Sequence, residues 1–151
     1  MPTYKNPFKN SNFLSFESRI ECLKILTKNM QNVIVSEYEI RNKIVFSIDS
    51  IEYFRGKYNP KNIFLALGAD NFINLHKWHR FEELMKITKL IVVQRNNIKI
   101  PDHINKIDLN INCSSSEIKL NLLKDKELES KIPKEIFHII NAEISLKKGL
   151  V

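Results

Sequence analysis

The chain has 151 residues, 43% of them hydrophobic and 27% charged, with a formal net charge of +7. That length suits one domain with a core of its own, and that balance suits a globular protein rather than a disordered one. No apolar run approaches the roughly 20 residues that span a bilayer, and Met1 to Lys5 lacks the apolar stretch of a secretory signal.

Cys22 and Cys113 are the only cysteines; they suggest neither a disulfide framework nor a zinc site and read as small core residues. The default compartment is the cytoplasm, with no membrane partner. The basic excess reads either as a lysine-rich solvated surface or as a field that draws anions such as nucleotides. The charges are dispersed and no run of five basic residues occurs, which disfavours a nucleic-acid groove.

In chain order, Tyr4 to Asn12 is a polar loop broken at Pro7. Ser15 to Lys28 spaces Phe16, Ile20, Leu23 and Leu26 as an amphipathic helix. Val33-Ile34-Val35 reads as a short strand. Ser47 is the expected cap of a second helix, with Asp49 in its first turn, Ile48, Ile51 and Phe54 on one face, and Gly56 and Asn59-Pro60 ending it. Ile63 to Leu67 is a continuous apolar run, as in a strand covered on both faces. Arg80 to Thr88 is helical with Phe81, Leu84 and Met85 buried, and Leu90 to Val93 is the next strand. After a loop at 96–105, Ile107, Leu109 and Ile111 alternate as a half-exposed strand. Helices at Ser114–Lys124 and Pro133–Ala142 complete the chain. Strands alternating with helices imply an α/β fold with a mostly parallel sheet in one domain, residues 1–151.

The candidate chemistry follows that layout. Gly68-Ala69-Asp70 stands at the carboxyl end of a buried parallel strand, where ligands bind. Glycine there permits close approach of a nucleotide, and the Asp70 carboxylate can accept from ribose hydroxyls. A plain turn with Asp70 as helix cap is the simpler reading. Ser114-Ser115-Ser116-Glu117-Ile118-Lys119 has capping-box spacing between Ser114 and Glu117; the same amides and hydroxyls bind phosphate, with Lys119 one turn on. Trp78, the one tryptophan, is either core or a ring for stacking on a flat heteroaromatic, given its polar neighbours His76, Lys77, His79 and Arg80. The histidines His76, His79, His103 and His138 form no metal set.

These pieces together resemble bacterial nicotinate-nucleotide adenylyltransferases. The resemblance runs through Leu67-Gly68-Ala69-Asp70-Asn71-Phe72 to Trp78, Phe81-Glu82-Glu83-Leu84 and Leu90-Ile91-Val92-Val93-Gln94-Arg95. Met1 to Lys9 resembles the family's substrate loop, Arg19 an arginine of the following helix, Phe46-Ser47 an aromatic-hydroxyl pair, Ser114 to Lys119 a Ser-Ser-Thr-x-Ile-Arg signature, and Ile132 to Ile140 the C-terminal helix. The resemblance implies a Rossmann-like nucleotidyltransferase, a three-layer α/β/α fold with a mostly parallel sheet. It also implies adenylyl transfer from ATP to nicotinic acid mononucleotide, giving deamido-NAD and pyrophosphate, with Mg²⁺. On that basis Gly68 and Asp70 would hold the ATP ribose side, and Ser114, Ser115, Ser116 and Lys119 the phosphates, with Arg95 nearby. Ser47, Trp78 and His79 would bind the nicotinate nucleotide, Trp78 by stacking, and Lys9 would approach a phosphate. A homo-oligomer is left open.

Three departures stand out. Lys119 occupies an arginine position, which replaces a bidentate fork by a point charge. Gln94 occupies what is a second arginine in some members. The glycine-rich loop ending in His-x-Gly-His, with the strand before it, has no counterpart, since Gly56, Gly68 and Gly149 are the only glycines. The expectation is thus a chain lacking the family's first strand and catalytic loop, begun at an internal methionine, and inactive alone. That strand lies mid-sheet in the family, and its buried side chains would each contribute roughly 1.5–3 kcal/mol of a total near 5–15 kcal/mol, so instability is expected too. Other readings are a nucleotidyltransferase with a different phosphorylated acceptor, or a non-catalytic nucleotide-binding module.

Overall fold

A computed structural model describes residues 1–7, 13–94, 98–108 and 132–148. They fall into two compact units, Met1–Val45 with Cys113–Val151, and Phe46–Asn112.

The first unit is helical. Helix α1 spans Phe16–Thr27 and is capped by Ser15, whose Oγ accepts from the Ser18 amide at 3.2 Å. This is the local signature expected of a serine before an apolar-periodic run. Its buried side is set by Cys22 and Ile25 rather than by the full expected stripe, and Leu26 is 37% exposed. Helix α2 is one turn, Tyr38–Arg41. The last elements are a 3₁₀ turn, Lys134–Ile136, running into helix α6, Phe137–Lys148. Ile136, Ile139, Ile140 and Ile144 recur at helical spacing and pack with Cys22 and Ile132 as a core. Glu143 is buried there at 8% exposure. Its Oε1 accepts from the Ser15 amide at 3.0 Å and from the Ser18 hydroxyl at 2.6 Å, so a carboxylate from α6 holds the positive N-terminus of α1.

Val33-Ile34-Val35 is not a strand. Val33 and Ile34 are 47% and 76% exposed; β-branched residues favour strands through packing on a neighbour, and no described strand lies beside these.

The second unit carries the sheet. Helix α3 covers Ser47–Tyr58, β1 Phe64–Gly68, α4 Ala69–Ile73, a 3₁₀ turn Leu75–Lys77, α5 Phe81–Ile87, β2 Lys89–Gln94 and β3 Asn105–Asp108. All pairing is parallel in the order β1-β2-β3, with Gly68 opposite Val93 and Gln94 opposite Asp108. The α/β architecture read from the alternation of elements is therefore present, with α4 and α5 forming the crossover a parallel pair requires. The core is Ile48, Leu67, Ala69, Leu75, Leu84, Leu90, Val92 and Ile100. Within the expected helix stripe, Leu84 is fully buried while Phe81 and Met85 pack beside it.

Several boundaries differ from the sequence reading. Phe46, not Ser47, is the N-cap of α3, in extended conformation, and Ser47 is the first helical residue. Gly56 lies inside α3, with nothing within 4 Å of where a Cβ would stand. Asn59 ends the helix in the left-handed region at φ 41°, its amide donating to the Arg55 carbonyl at 2.9 Å. Strand β1 is not covered on both faces: Leu67 is buried, whereas Phe64 is 54% exposed and Ala66 is exposed. All four residues of β3 are exposed, more than half exposure implied. The expected helix at Ser114–Lys124 lies outside the described residues, as do Cys113, Leu109 and Ile111. Among the described residues no helix is long and apolar enough to cross a membrane.

Candidate functional site

The carboxyl end of β1 runs directly into α4. Gly68 is its N-cap at φ −73° and ψ 155°, values open to any residue, so the glycine is not there for a left-handed turn. Ala69 behind it is completely buried, which fixes the strand-to-helix corner on the core. Asp70 is exposed in the first turn of α4, and its carbonyl accepts from Asn74 Nδ2 at 3.4 Å. The expected ribose-side pair thus stands at the edge where a parallel sheet places its ligands.

The 3₁₀ turn then delivers Trp78. Its amide donates to the Leu75 carbonyl at 2.9 Å, and its half-buried indole packs on the core cluster. One residue on, the His79 ring stacks on Phe46, centroids 4.2 Å apart and planes 28° apart. That contact brings the start of α3, with half-buried Ser47, to the Trp78–His79 segment. The Phe46–Ser47 and Trp78–His79 segments are thus brought together by the Phe46–His79 stack although they are some 30 residues apart in the chain.

Arg80 closes this corner, and sequence reasoning gave it no role. Its backbone is left-handed at φ 52°, a conformation costing a non-glycine residue about 1 kcal/mol. Its carbonyl accepts from the amides of Glu83 and Leu84, starting α5. Its guanidinium donates to both oxygens of Glu52, at 2.9 and 2.7 Å, and to both of Glu83, at 2.9 and 2.6 Å. Asp49 stands 3.6 Å away. Hydrogen bonds from Arg80 hold the Glu83 carboxyl below the usual carboxylate range, and Glu83 and Glu52 together raise the Arg80 pKa. The signal available in the sequence was Asp49 and Glu52 one helical step apart on the face that carries Ser47's turn, with a free-standing arginine beside Trp78.

In the other unit Arg19 ties the N-terminal segment to α1. Its Nη1 donates to the Thr3 carbonyl at 2.7 Å and its guanidinium lies 5.0 Å from the Phe16 ring centre. Burial pushes its pKa down, against the opposing effect of Glu17. Lys9, Arg95, Ser114, Ser115, Ser116 and Lys119 lie outside the described residues. Among the described residues no three of His, Cys, Asp and Glu gather as a metal site.

Comparison with known proteins bears on this arrangement. The sequence profile described as cytidylyltransferase-like matches residues 1–121. A protein of Campylobacter fetus subsp. fetus (strain 82-40) named probable nicotinate-nucleotide adenylyltransferase is 36% identical over 120 residues, covering 79% of this chain and 66% of that protein. Proteins of the same name from a Nitratiruptor species and from Aliarcobacter butzleri are 32% and 35% identical over 121 and 150 residues. They are covered to 68% and 79% of their own length, and this chain to 80% and 99%. With a parallel α/β sheet and a profile match across most of its length, the chain belongs to the cytidylyltransferase-like family.

Proposed function

We propose that this chain serves adenylyl transfer from ATP to nicotinic acid mononucleotide, yielding deamido-NAD and pyrophosphate. In that reaction a phosphate oxygen of the mononucleotide forms a bond to the α-phosphorus of ATP. The bond from that phosphorus to the bridging oxygen breaks, and pyrophosphate leaves with the electron pair. The observation that carries the proposal is the convergence of Phe46-Ser47 with Trp78-His79 in the same compact unit as the Gly68–Asp70 corner. The names of the relatives give that convergence its substrates.

In this reading Gly68 and Asp70 face the ATP ribose. Trp78 stacks on the pyridine ring, and Ser47 and His79 hold its polar substituents. Lys9, Arg95, Ser114, Ser115, Ser116 and Lys119 are assigned to phosphates through the family resemblance alone. Transfers of this type depend mainly on positioning and charge stabilisation. Nucleotidyltransferases of this kind generally use a divalent metal. We take it to be Mg²⁺ arriving on the phosphates of ATP as part of the substrate. A cytoplasmic reaction within a single 151-residue domain belongs to the same proposal.

The test is binding by titration calorimetry, because binding is what the described residues would provide. ATP is expected to bind in preference to CTP, and nicotinic acid mononucleotide is expected to bind at one site per chain. Preference for CTP, or affinity for neither ATP nor the mononucleotide, would refute the assignment.

A further inference from the structure

We infer that Arg80 is a positioning residue for the pyridine-nucleotide end of the site, a role that rests on the proposed function. Trp78 and His79 sit on the short irregular stretch between the 3₁₀ turn and α5, and Ser47 sits in the first turn of α3. Besides the core they share, two side-chain links seen among the described residues join those places. One is the Phe46–His79 ring stack. The other is Arg80, which grips Glu52 on α3 and Glu83 on α5 with two hydrogen bonds each. A guanidinium can make this double fork because its donors lie fixed in a plane; a lysine cannot.

The charge arithmetic points the same way. Asp49, Glu52 and Glu83 all lie within 3.6 Å of the one guanidinium. Without that cation, three carboxylates would face one another between the start of α3 and the start of α5, and their repulsion would loosen the Phe46–His79 stack and the Trp78 segment beside it. The left-handed backbone at Arg80 is also explained by this role. A right-handed residue there would begin the helix one residue early and turn the side chain off α3. The four side-chain hydrogen bonds of Arg80 go to α3 and α5, at the Ser47–Trp78 end, so its loss should be felt most at that end of the site.

The decisive variant is Arg80→Gly. Glycine accepts the left-handed backbone without strain, so the substitution removes the side-chain latch and leaves the turn. In the ligand-free protein, acrylamide quenching of Trp78, the single tryptophan, is expected to rise. Affinity for nicotinic acid mononucleotide is expected to fall about tenfold through misplacement, with ATP affinity changed less than about twofold. Glu52→Gln separates positioning from simple field effects: a latch predicts weaker mononucleotide binding, whereas relief of negative charge predicts tighter binding. Arg80→Lys is expected to rescue only part of the loss. Unchanged Trp78 quenching together with unchanged mononucleotide affinity in Arg80→Gly would overturn the inference, as would tighter binding in Glu52→Gln. If the unmodified chain bound no mononucleotide, the proposed substrate would fall, and the quenching result alone would decide whether Arg80 is a latch.

Discussion

Replacing Trp78 by alanine separates a pyridine-stacking ring from a mere core residue. An aromatic side chain presents about 150–250 Å² in all. Trp78 is half-buried against the Ala69–Leu84 core, which leaves on the order of 60 Å² for a ligand. At about 25 cal/mol per Å² that face contributes roughly 1.5 kcal/mol, and ring stacking adds about 0.5–1.5 kcal/mol. The sum corresponds to a loss of roughly 25- to 150-fold in affinity for nicotinic acid mononucleotide. ATP, assigned to other residues in the proposed site, should lose less than about threefold. The substitution also removes the buried part of the indole from the core and should cost about 2 kcal/mol of stability, less than the roughly 3–5 kcal/mol of a fully buried ring. Calorimetric titration of both nucleotides in the cold, well below the lowered melting point, keeps the two effects apart. Trp78→Phe retains a ring face and should recover most of the affinity. Equal losses for the two nucleotides, or no loss for the mononucleotide, would refute the stacking role.

Three further outcomes follow from the structure. Glu143→Ala removes the acceptor shared by the Ser15 amide and the Ser18 hydroxyl. A destabilisation of about 1–3 kcal/mol is expected, visible in the melting curve and as faster hydrogen exchange at the first turn of α1; unaltered exchange there would contradict the capping role. Asn59→Gly should raise stability by up to about 1 kcal/mol, because glycine occupies the left-handed helix end without the strain of a side chain; a fall in melting temperature would show that the Asn59 side chain does more than tolerate the turn. The third concerns pH. Lys24 and Arg41 hold Glu37 below the usual carboxylate range, as Arg80 does Glu83. Both carboxyls thus bind protons more weakly folded than unfolded, so their contribution is present above the ordinary glutamate value of about 4.3 and is lost as pH falls through the lower folded values. Denaturant midpoints should hold steady from about pH 7 to about pH 5.5 on their account and fall below about pH 4, and Glu83→Gln should flatten that fall. An equally steep acid loss in Glu83→Gln would remove Glu83 from the explanation.

Much of the fold was legible because it rested on strong local signals. The spacing of Phe16, Ile20 and Leu23 gave α1, the apolar runs at 63–67 and 90–93 gave two parallel strands, and Leu84 gave the buried side of α5. Local signals failed where burial decides. Val33-Ile34-Val35 has the composition of a strand and no described neighbour to make it one. Leu26 continues the helical spacing of α1 and stays exposed, since that core ends at Ile25. Gly56 resembled a helix stop, yet a helix interior accepts glycine at a cost near about 1 kcal/mol, and Asn59 supplies the left-handed turn instead. The site divides the same way. Gly68, Asp70 and Trp78 were singled out by residue type and place in the layout, Ser47 and His79 by the family resemblance, and the structure adds what neither carries. The Phe46–His79 stack and the two Arg80–Glu52 hydrogen bonds join segments about 30 residues apart, a relation no local window contains.

In the proposed site, the Gly68–Asp70 corner and the Ser47–Trp78–His79 cluster form the two ends of one nucleotide-transfer site. The most direct test is a crystal structure with nicotinic acid mononucleotide and a non-hydrolysable ATP analogue bound together. The expected result places the pyridine ring on Trp78 beside Ser47 and His79, and the adenylate ribose at Asp70 beyond the carboxyl end of β1. A pyridine ring bound away from Trp78, or a nucleotide bound away from that end of β1, would contradict it.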